Sequence, residues 1–220
     1  MDLGADYTNT AVGRDAFRNL SPTEFGVHDR MKGPSNFDQP HALLVNTTYE
    51  TPSRATGNGI VDRIVGSWQM SGVVLLKSGS PFTVQSGGDS PGFGNVDGTT
   101  ADRPNVIDPS VLGANVNHPD TSQQALPRSA FSFPSVDQPS GNLGRNTFRK
   151  DEVFNVNVSL ARRFPWRGDM SFELRAESLN ILNHAQFQSP GYSLSEDNFG
   201  QITNTLNDGR TFQFTLKLAF

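Results

Sequence analysis

Cysteine is absent from the 220 residues, which excludes disulfide frameworks and thiolate metal sites. A secreted or periplasmic location stays open, since many such proteins lack cysteine. Long apolar runs are missing as well. Stretches such as Val73–Leu76 fall far short of the roughly 18 residues that a membrane-spanning helix needs. That excludes a helical span, but not a β-barrel, whose alternating strands score as hydrophilic on average. There is no excess of positive charge either. The net charge is −4 and the pI near 5.5, so no basic stripe is available to neutralise phosphates, which argues against nucleic acid as the partner. The opening MDLGADYTNT has neither the basic nor the apolar region of a signal peptide. Either the chain stays in the cytoplasm or Met1 is not where the gene of the mature protein begins.

Hydrophobic residues are scarce at 35%, whereas glycine (21) and proline (14) are plentiful. That is thin material for a large soluble core and rich material for turns. The length suits one ordinary domain or two small ones.

What the chain does have is alternation. Its last ten residues read TFQFTLKLAF: Phe212, Phe214, Leu216, Leu218 and Phe220 interleave with Thr211, Gln213, Thr215, Lys217 and Ala219. A period of two puts the first set on one face of a strand and the second on the other. Oil on one side and a polar interior on the other would suit it; so, on this stretch alone, would a half-buried soluble strand. The same period recurs at 41–50 (Leu43, Val45, Thr47, Tyr49) and at 68–84 (Trp68, Met70, Gly72, Val74, Leu76, pairing on weakly through Pro81–Val84). It returns at 153–164 (Phe154, Val156, Val158, Leu160) and at 170–180 (Met170, Phe172, Leu174, Ala176). Residues 1–40, 85–152 and 181–210 read as long irregular loops, 51–67 as a turn-rich connection and PWRGD (165–169) as a tight turn.

Five amphipathic strands of about ten residues each are near the length that crosses a bilayer when tilted. An insert as long as 85–152 counts against a compact soluble domain. In an up-and-down order, however, every long loop falls on one side and both shorter connections on the other, as in outer-membrane barrels with short periplasmic turns and long extracellular loops. Aromatic girdles provide a second criterion. Tyr49, Trp68, Phe164, Phe172 and Phe220 fall at the short-connection ends, and Phe82, Phe154 and Phe212 at the opposite ends, all in phase with the apolar faces. The expectation is an all-β, antiparallel up-and-down transmembrane barrel wall.

Five motifs carry a family resemblance. They are GPSNFDQPHALLVNTTYETP (33–52), GSWQMSGVVLLKSGSPFTV (66–84), GNLGRNTFR (141–149), RAESLNILNHAQF (175–187) and FGQITNTLNDGRTFQFTLKLAF (199–220). In this order the chain resembles the C-terminal part of a TonB-dependent outer-membrane receptor, in particular the Oar-like subgroup. It departs from the subgroup at Lys150-Asp151-Glu152, where a Gly/Pro pair is common, and in the less aromatic 178–184. The resemblance implies a fragment of about the last five of roughly 22 strands, spanning 1–220, without plug domain or TonB-contacting box. It implies as partners the bilayer of the outer membrane of a Gram-negative-type bacterium, the remaining strands and plug, and TonB through the missing N-terminal region. It also implies the barrel-assembly machinery, which would read Phe212, Phe214, Leu216, Leu218 and the terminal Phe220. Five strands cannot close, since the smallest single-chain barrels have about eight, so 41–50 and 211–220 are expected as open edges.

No residue pattern points to catalysis, a cofactor or a metal. His28, His41, His118 and His184 lack HExxH or i,i+4 spacing, and SGGDSPGFGN (86–95) lacks phosphate-loop spacing. Asp89, Asp97 and Asp102 lack EF-hand spacing, leaving adventitious calcium at most. Asn46-Thr47-Thr48 and Asn157-Val158-Ser159 match glycosylation acceptors but lie within strands. Glu173, Arg175, Glu177 and Lys217 fall on the polar, lumen-facing side, where they would line a solute path or contact the plug; a polar wall with cross-strand ion pairs accounts for them equally simply. The only outward charge found in the strands is Arg162, near the short-connection end, where it can snorkel. The function expected is non-enzymatic uptake of a scarce solute (metal chelate, vitamin or glycan). Two rivals stand beside it: a non-transport surface or adhesion protein on the same barrel, and a soluble carbohydrate-binding β-sandwich, which would be a monomer without detergent.

Overall fold

The computed structural model describes residues 33–53, 59–94, 96, 102–137 and 141–220. The loop reading of residues 1–32, with His28, lies outside the described residues, as do Asp97 and residues 54–58. The chain divides into two compact units. One, the sheet unit, consists of His41–Lys77, Val153–Gln186 and Asn207–Phe220; the other, the loop unit, contains Ser78–Glu152, Phe187–Leu206 and the residues up to Pro40.

Five long strands make up the sheet unit: β1 (Ala42–Glu50), β2 (Trp68–Lys77), β8 (Val153–Pro165), β9 (Ser171–Leu179) and β10 (Thr211–Ala219). They form one antiparallel sheet in the order β1-β2-β8-β9-β10. The register aligns the sequence parity across all five. Leu43 pairs with Leu76 and Leu76 with Phe154 at one end; Phe164 pairs with Phe172 and Phe172 with Leu218 at the other. Directly opposed residues share a face, so one face carries Leu43, Val45, Tyr49, Met70, Val74, Val156, Leu160, Leu174, Phe214 and Leu216. The other carries Asn46, Thr48, Gln69, Ser71, Asn155, Asn157, Glu173, Arg175, Gln213 and Lys217. A slip of one residue would exchange the faces.

This sheet has no core. Among the described residues, Ala161 is the sheet's only buried hydrophobic. Phe214 is 75% exposed and Leu216 71%, and Leu43, Tyr49, Met70 and Phe212 are also exposed. A soluble protein rarely leaves a contiguous apolar patch larger than a few hundred Å². Among the described residues, β1 and β10 are its two edges, and the sheet does not close.

Both shorter connections join the same end of the sheet. Residues 166–170 form the tight one, closed by bonds from the Trp166 N–H to the Met170 carbonyl (2.9 Å) and from the Met170 N–H to the Arg167 carbonyl (3.1 Å), with Gly168 at φ +60°. The connection at 51–67, expected to be turn-rich, contains a helix, α1 (Gly59–Val65). The breakers cluster in its first half; Ile60, Val61, Ile64 and Val65 then recur at helical spacing over too short a run to stand out.

The loop unit corrects three expectations. Residues 85–152 are not an irregular insert. They contain β4 (Asn105–Val106), β5 (Asn115–Val116), the helix α2 (Pro119–Ala125), β6 (Phe131–Ser132) and β7 (Phe148–Lys150). Nor does β2 pair on through Val84: it ends at Lys77, and Pro81–Phe82 form a separate short strand, β3, antiparallel to β7. Between them Gly79 lies so close to the Lys150 carbonyl that a Cβ would collide with it. Phe82 consequently leaves the expected girdle and enters a core with Val84, Val111, Val116, Leu126, Phe131, Leu143, Phe148, Leu194 and Phe199. Phe82, Phe148, Phe131 and Phe199 form, in that order, a chain of ring contacts with centroids 5.6–6.0 Å apart. Short strands of two or three residues have too few positions to show a period, so the sequence conceals them.

Face assignment yields a paired expectation. Leu216→Arg places a charge near the middle of the apolar face, at a cost of about 2–4 kcal/mol in a bilayer, whereas Thr215→Arg places it on the polar face. In the full-length protein, the amount of heat-modifiable folded barrel on a gel should collapse for Leu216→Arg and hold for Thr215→Arg. Equal amounts from both would refute the parity.

Candidate functional site

Among the described residues, the features that stand out are surfaces and clefts. The polar face of the sheet carries a row of charges: Arg163 lies 3.8 Å from Glu173, Arg175 lies 3.6 Å from Glu173 and 3.3 Å from Glu177. Lys217 stands opposite Glu173 in the register. All are partly exposed, and such pairs contribute no more than about 1 kcal/mol each. At the short-connection end this face forms a cleft of about 560 Å³ bordered by Glu50, Gln69, Arg163 and Glu173.

The apolar face places the expected aromatic residues at its ends, Phe82 excepted. Phe164 and Phe172 stack at 4.7 Å with near-parallel rings. Arg162 lies over the Trp68 ring (5.5 Å) and the Phe164 ring (4.8 Å) and donates to the Ile64 carbonyl at 2.7 Å. At the opposite end, Phe154 meets His184 edge-on at 5.5 Å, and Arg210 lies 5.7 Å from the Phe212 ring. Phe220 is 92% exposed beyond the end of β10.

The motifs that stood out in the sequence are bonding nodes. Asn146, of GNLGRNTFR, sits in the left-handed region at φ +50° and is buried. Its Nδ2 donates to the Pro34 carbonyl and to Asn36 Oδ1, both at 2.7 Å, while Oδ1 accepts from Thr83 Oγ1 at 2.9 Å. Arg149 pairs with the Asp38 carboxylate and donates to the Asp38 and Gly79 carbonyls. Two motifs more than a hundred residues apart are thereby joined within the loop unit. In the sheet unit Asn180, at φ +52°, plays the same part. Its amide N–H donates to Asn157 Oδ1 (2.9 Å), its Nδ2 to the His184 and Asp208 carbonyls, and its Oδ1 accepts from the His184 N–H (2.9 Å). Asn207 adds a bond from Nδ2 to the His184 carbonyl. Asparagine tolerates the left-handed conformation and supplies both donor and acceptor. Sequence reasoning missed these roles, although the Asn residues of GNLGRNTFR and RAESLNILNHAQF were the available signal.

The loop unit has a polar cleft of about 340 Å³ lined by Gln85, Gln188, Tyr192, Ser193, Glu196 and Asn198. Nearby, Arg128 donates to the Leu194 and Glu196 carbonyls and lies 5.5 Å from the Phe199 ring. Asp108 accepts from the Ser110 amide at 2.9 Å, and hydrogen bonds from Ser110 hold its carboxyl below the usual carboxylate range. Among the described residues, no group of three or more His, Cys, Asp or Glu side chains is placed to hold a metal ion. His118 packs edge-on against Phe187 at 5.6 Å, and His41 is exposed just before β1.

A coreless antiparallel sheet, oily on one face and charged on the other, with aromatic residues at its ends, is the wall of a membrane β-barrel. The family comparison agrees: residues 3–213 match the model of the outer membrane beta barrel domain, and the chain belongs to that family. Its place is the outer membrane of a Gram-negative-type bacterium. No curated protein and no solved structure matches the chain.

The Asn146 node makes a distinct expectation. Asn146→Ala removes three side-chain bonds and strains the backbone, at about 0.5–1.5 kcal/mol per bond and roughly 1–2 kcal/mol for the left-handed residue. Limited proteolysis of the full-length protein in intact cells should then cut the loop unit faster, while the heat-modifiable barrel persists. Asn146→Gly, which relieves only the strain, should fall between alanine and wild type. A glycine variant as labile as alanine would remove the conformational part of this account.

Proposed function

We propose that this chain is the closing wall and loop region of a TonB-dependent transporter. The single observation behind the reading is the coreless sheet whose edge strands, β1 and β10, have no further partner strand among the described residues. A strand edge in lipid leaves backbone groups without partners, at several kcal/mol each, so β1 and β10 call for further strands. In this reading the rest of the same barrel supplies them, and a plug domain occupies the lumen against the Arg163–Glu173–Arg175–Glu177 row. The loop unit, with its own core and polar cleft, would meet the solute outside the cell. TonB would then drive displacement of the plug. Phe220, with the alternating residues of β10, would be read by the barrel-assembly machinery. No covalent chemistry enters this proposal.

The test is TonB itself. Full-length protein, verified as a folded barrel by heat modifiability, should retain the purified periplasmic domain of TonB on an affinity column. Deleting the gene and deleting TonB should produce non-additive growth defects under solute limitation. A folded barrel that does not bind TonB, with additive defects, would refute transport and favour a surface or adhesion role on the same barrel.

A further inference from the structure

We propose that α1 is an interfacial anchor, lying in the headgroup layer of the phospholipid leaflet at the short-connection side of the barrel. Seven residues are too few for helical hydrogen bonds alone to hold a helix in water. What holds α1 is its last turn. Thr51 Oγ1 donates to the Val65 carbonyl at 3.1 Å, Trp68 Nε1 to the Ile64 carbonyl at 2.8 Å, and Arg162 Nη1 to the same carbonyl at 2.7 Å. These donors satisfy carbonyls that a helix end leaves without intrahelical partners, and the guanidinium suits the negative end of the helix dipole.

Two of the three anchoring side chains belong to the apolar face of the sheet, since Trp68 pairs with Arg162 in the register and both share the parity of Phe164 and Met70. The helix therefore continues that face at its rim. Trp68, Phe164, Phe172 and Tyr49 are the aromatic residues that favour headgroup depth, and α1 is bonded directly to the first of them. Ile60 (73% exposed) and Ile64 (66%) stand one turn apart, as do the exposed Val61 and Val65. In water this would be a second exposed apolar surface among the described residues. At the interface such a stripe sinks to the boundary between headgroups and acyl chains, as amphipathic interfacial helices do. The position also explains Arg162. An outward arginine is costly at the bilayer midplane and nearly free at its edge, and here two rings and a carbonyl hold it at the edge. Short connections mark the periplasmic side, so the occupant is the inner, phospholipid leaflet.

The proposal rests on the apolar face being the lipid face, and the experiment separates the two. The described chain has no cysteine, so nitroxide labels can be placed singly in the full-length protein, with any cysteine outside these 220 residues replaced. The protein is reconstituted in nanodiscs of phosphatidylethanolamine and phosphatidylglycerol. Labels go at Ile64→Cys, at Leu216→Cys as the lipid reference and at Arg167→Cys as the aqueous reference. Collision with oxygen and with a water-soluble nickel chelate is compared. The oxygen-to-nickel ratio at Ile64 should be several-fold above that at Arg167 and below that at Leu216. A ratio equal to that of Arg167 would overturn the anchor and place the helix in water. Exclusion of both reagents would also overturn it, by showing protein rather than lipid over the helix. A low ratio at Leu216 would instead refute the lipid face, and the anchor with it.

Discussion

A β-sheet has two faces and two edges, and each must be matched to a medium. The sheet unit follows from the fact that one face of the β1-β2-β8-β9-β10 sheet is apolar and, among the described residues, uncovered. Burial of such a face stabilises by about 25 cal/mol per Å² only when something apolar receives it. Among the described residues, no layer of the sheet unit does so. Oil must do so, and oil in turn dictates the rest. It forbids open edges, forces charges to the opposite face and favours aromatics at the two boundaries. The row from Arg163 to Glu177, the stacked Phe164 and Phe172, and the bracketed Arg162 are consequences of that one mismatch with water.

The loop unit obeys the opposite rule. It builds a water-stable core from Phe82, Phe131, Phe148, Phe199 and their aliphatic neighbours. Its short strands supply little hydrogen bonding, so side chains do much of the fastening: Asn146 and Arg149 tie residues 34–38 to the strand β7 region, and Arg128 ties the 194–199 segment. Long connections in barrels are tolerated because loop closure costs grow only slowly with length. A connection that folds around its own core can, besides, present a fixed surface, which a floppy one cannot.

The long strands were legible because a period of two over nine or more residues is hard to mistake, and because the register had to bring like faces together. Phe212, Phe214, Leu216 and Leu218 could be placed on one face before any pairing was known. The loop core was illegible for the converse reason. Phe82 sits two residues before Val84 in a pattern that mimics a continuing strand, and nothing local reports that Gly79 and Pro81 redirect the chain into a core. Likewise α1 offers four apolar residues at helical spacing, too short a run to outweigh the breakers beside it. The asparagine nodes were visible as motif residues, but their role depends on partners as far away as Pro34 and Asp208. Family-level resemblance reached the barrel; the transporter subgroup is a matter for biochemistry.

The central claim, that the sheet is a membrane wall with period-two faces, is most directly tested along β10. Single cysteines from Thr211 to Phe220 in the full-length protein would be probed in cells with a small, water-soluble thiol reagent. The account predicts labelling that alternates strictly: Gln213, Thr215 and Lys217 positions react from the water-filled side, while Phe214, Leu216 and Leu218 positions stay protected by lipid until the membrane is dissolved. Uniform reactivity along the strand, or protection that follows a block of residues rather than every second one, would contradict it.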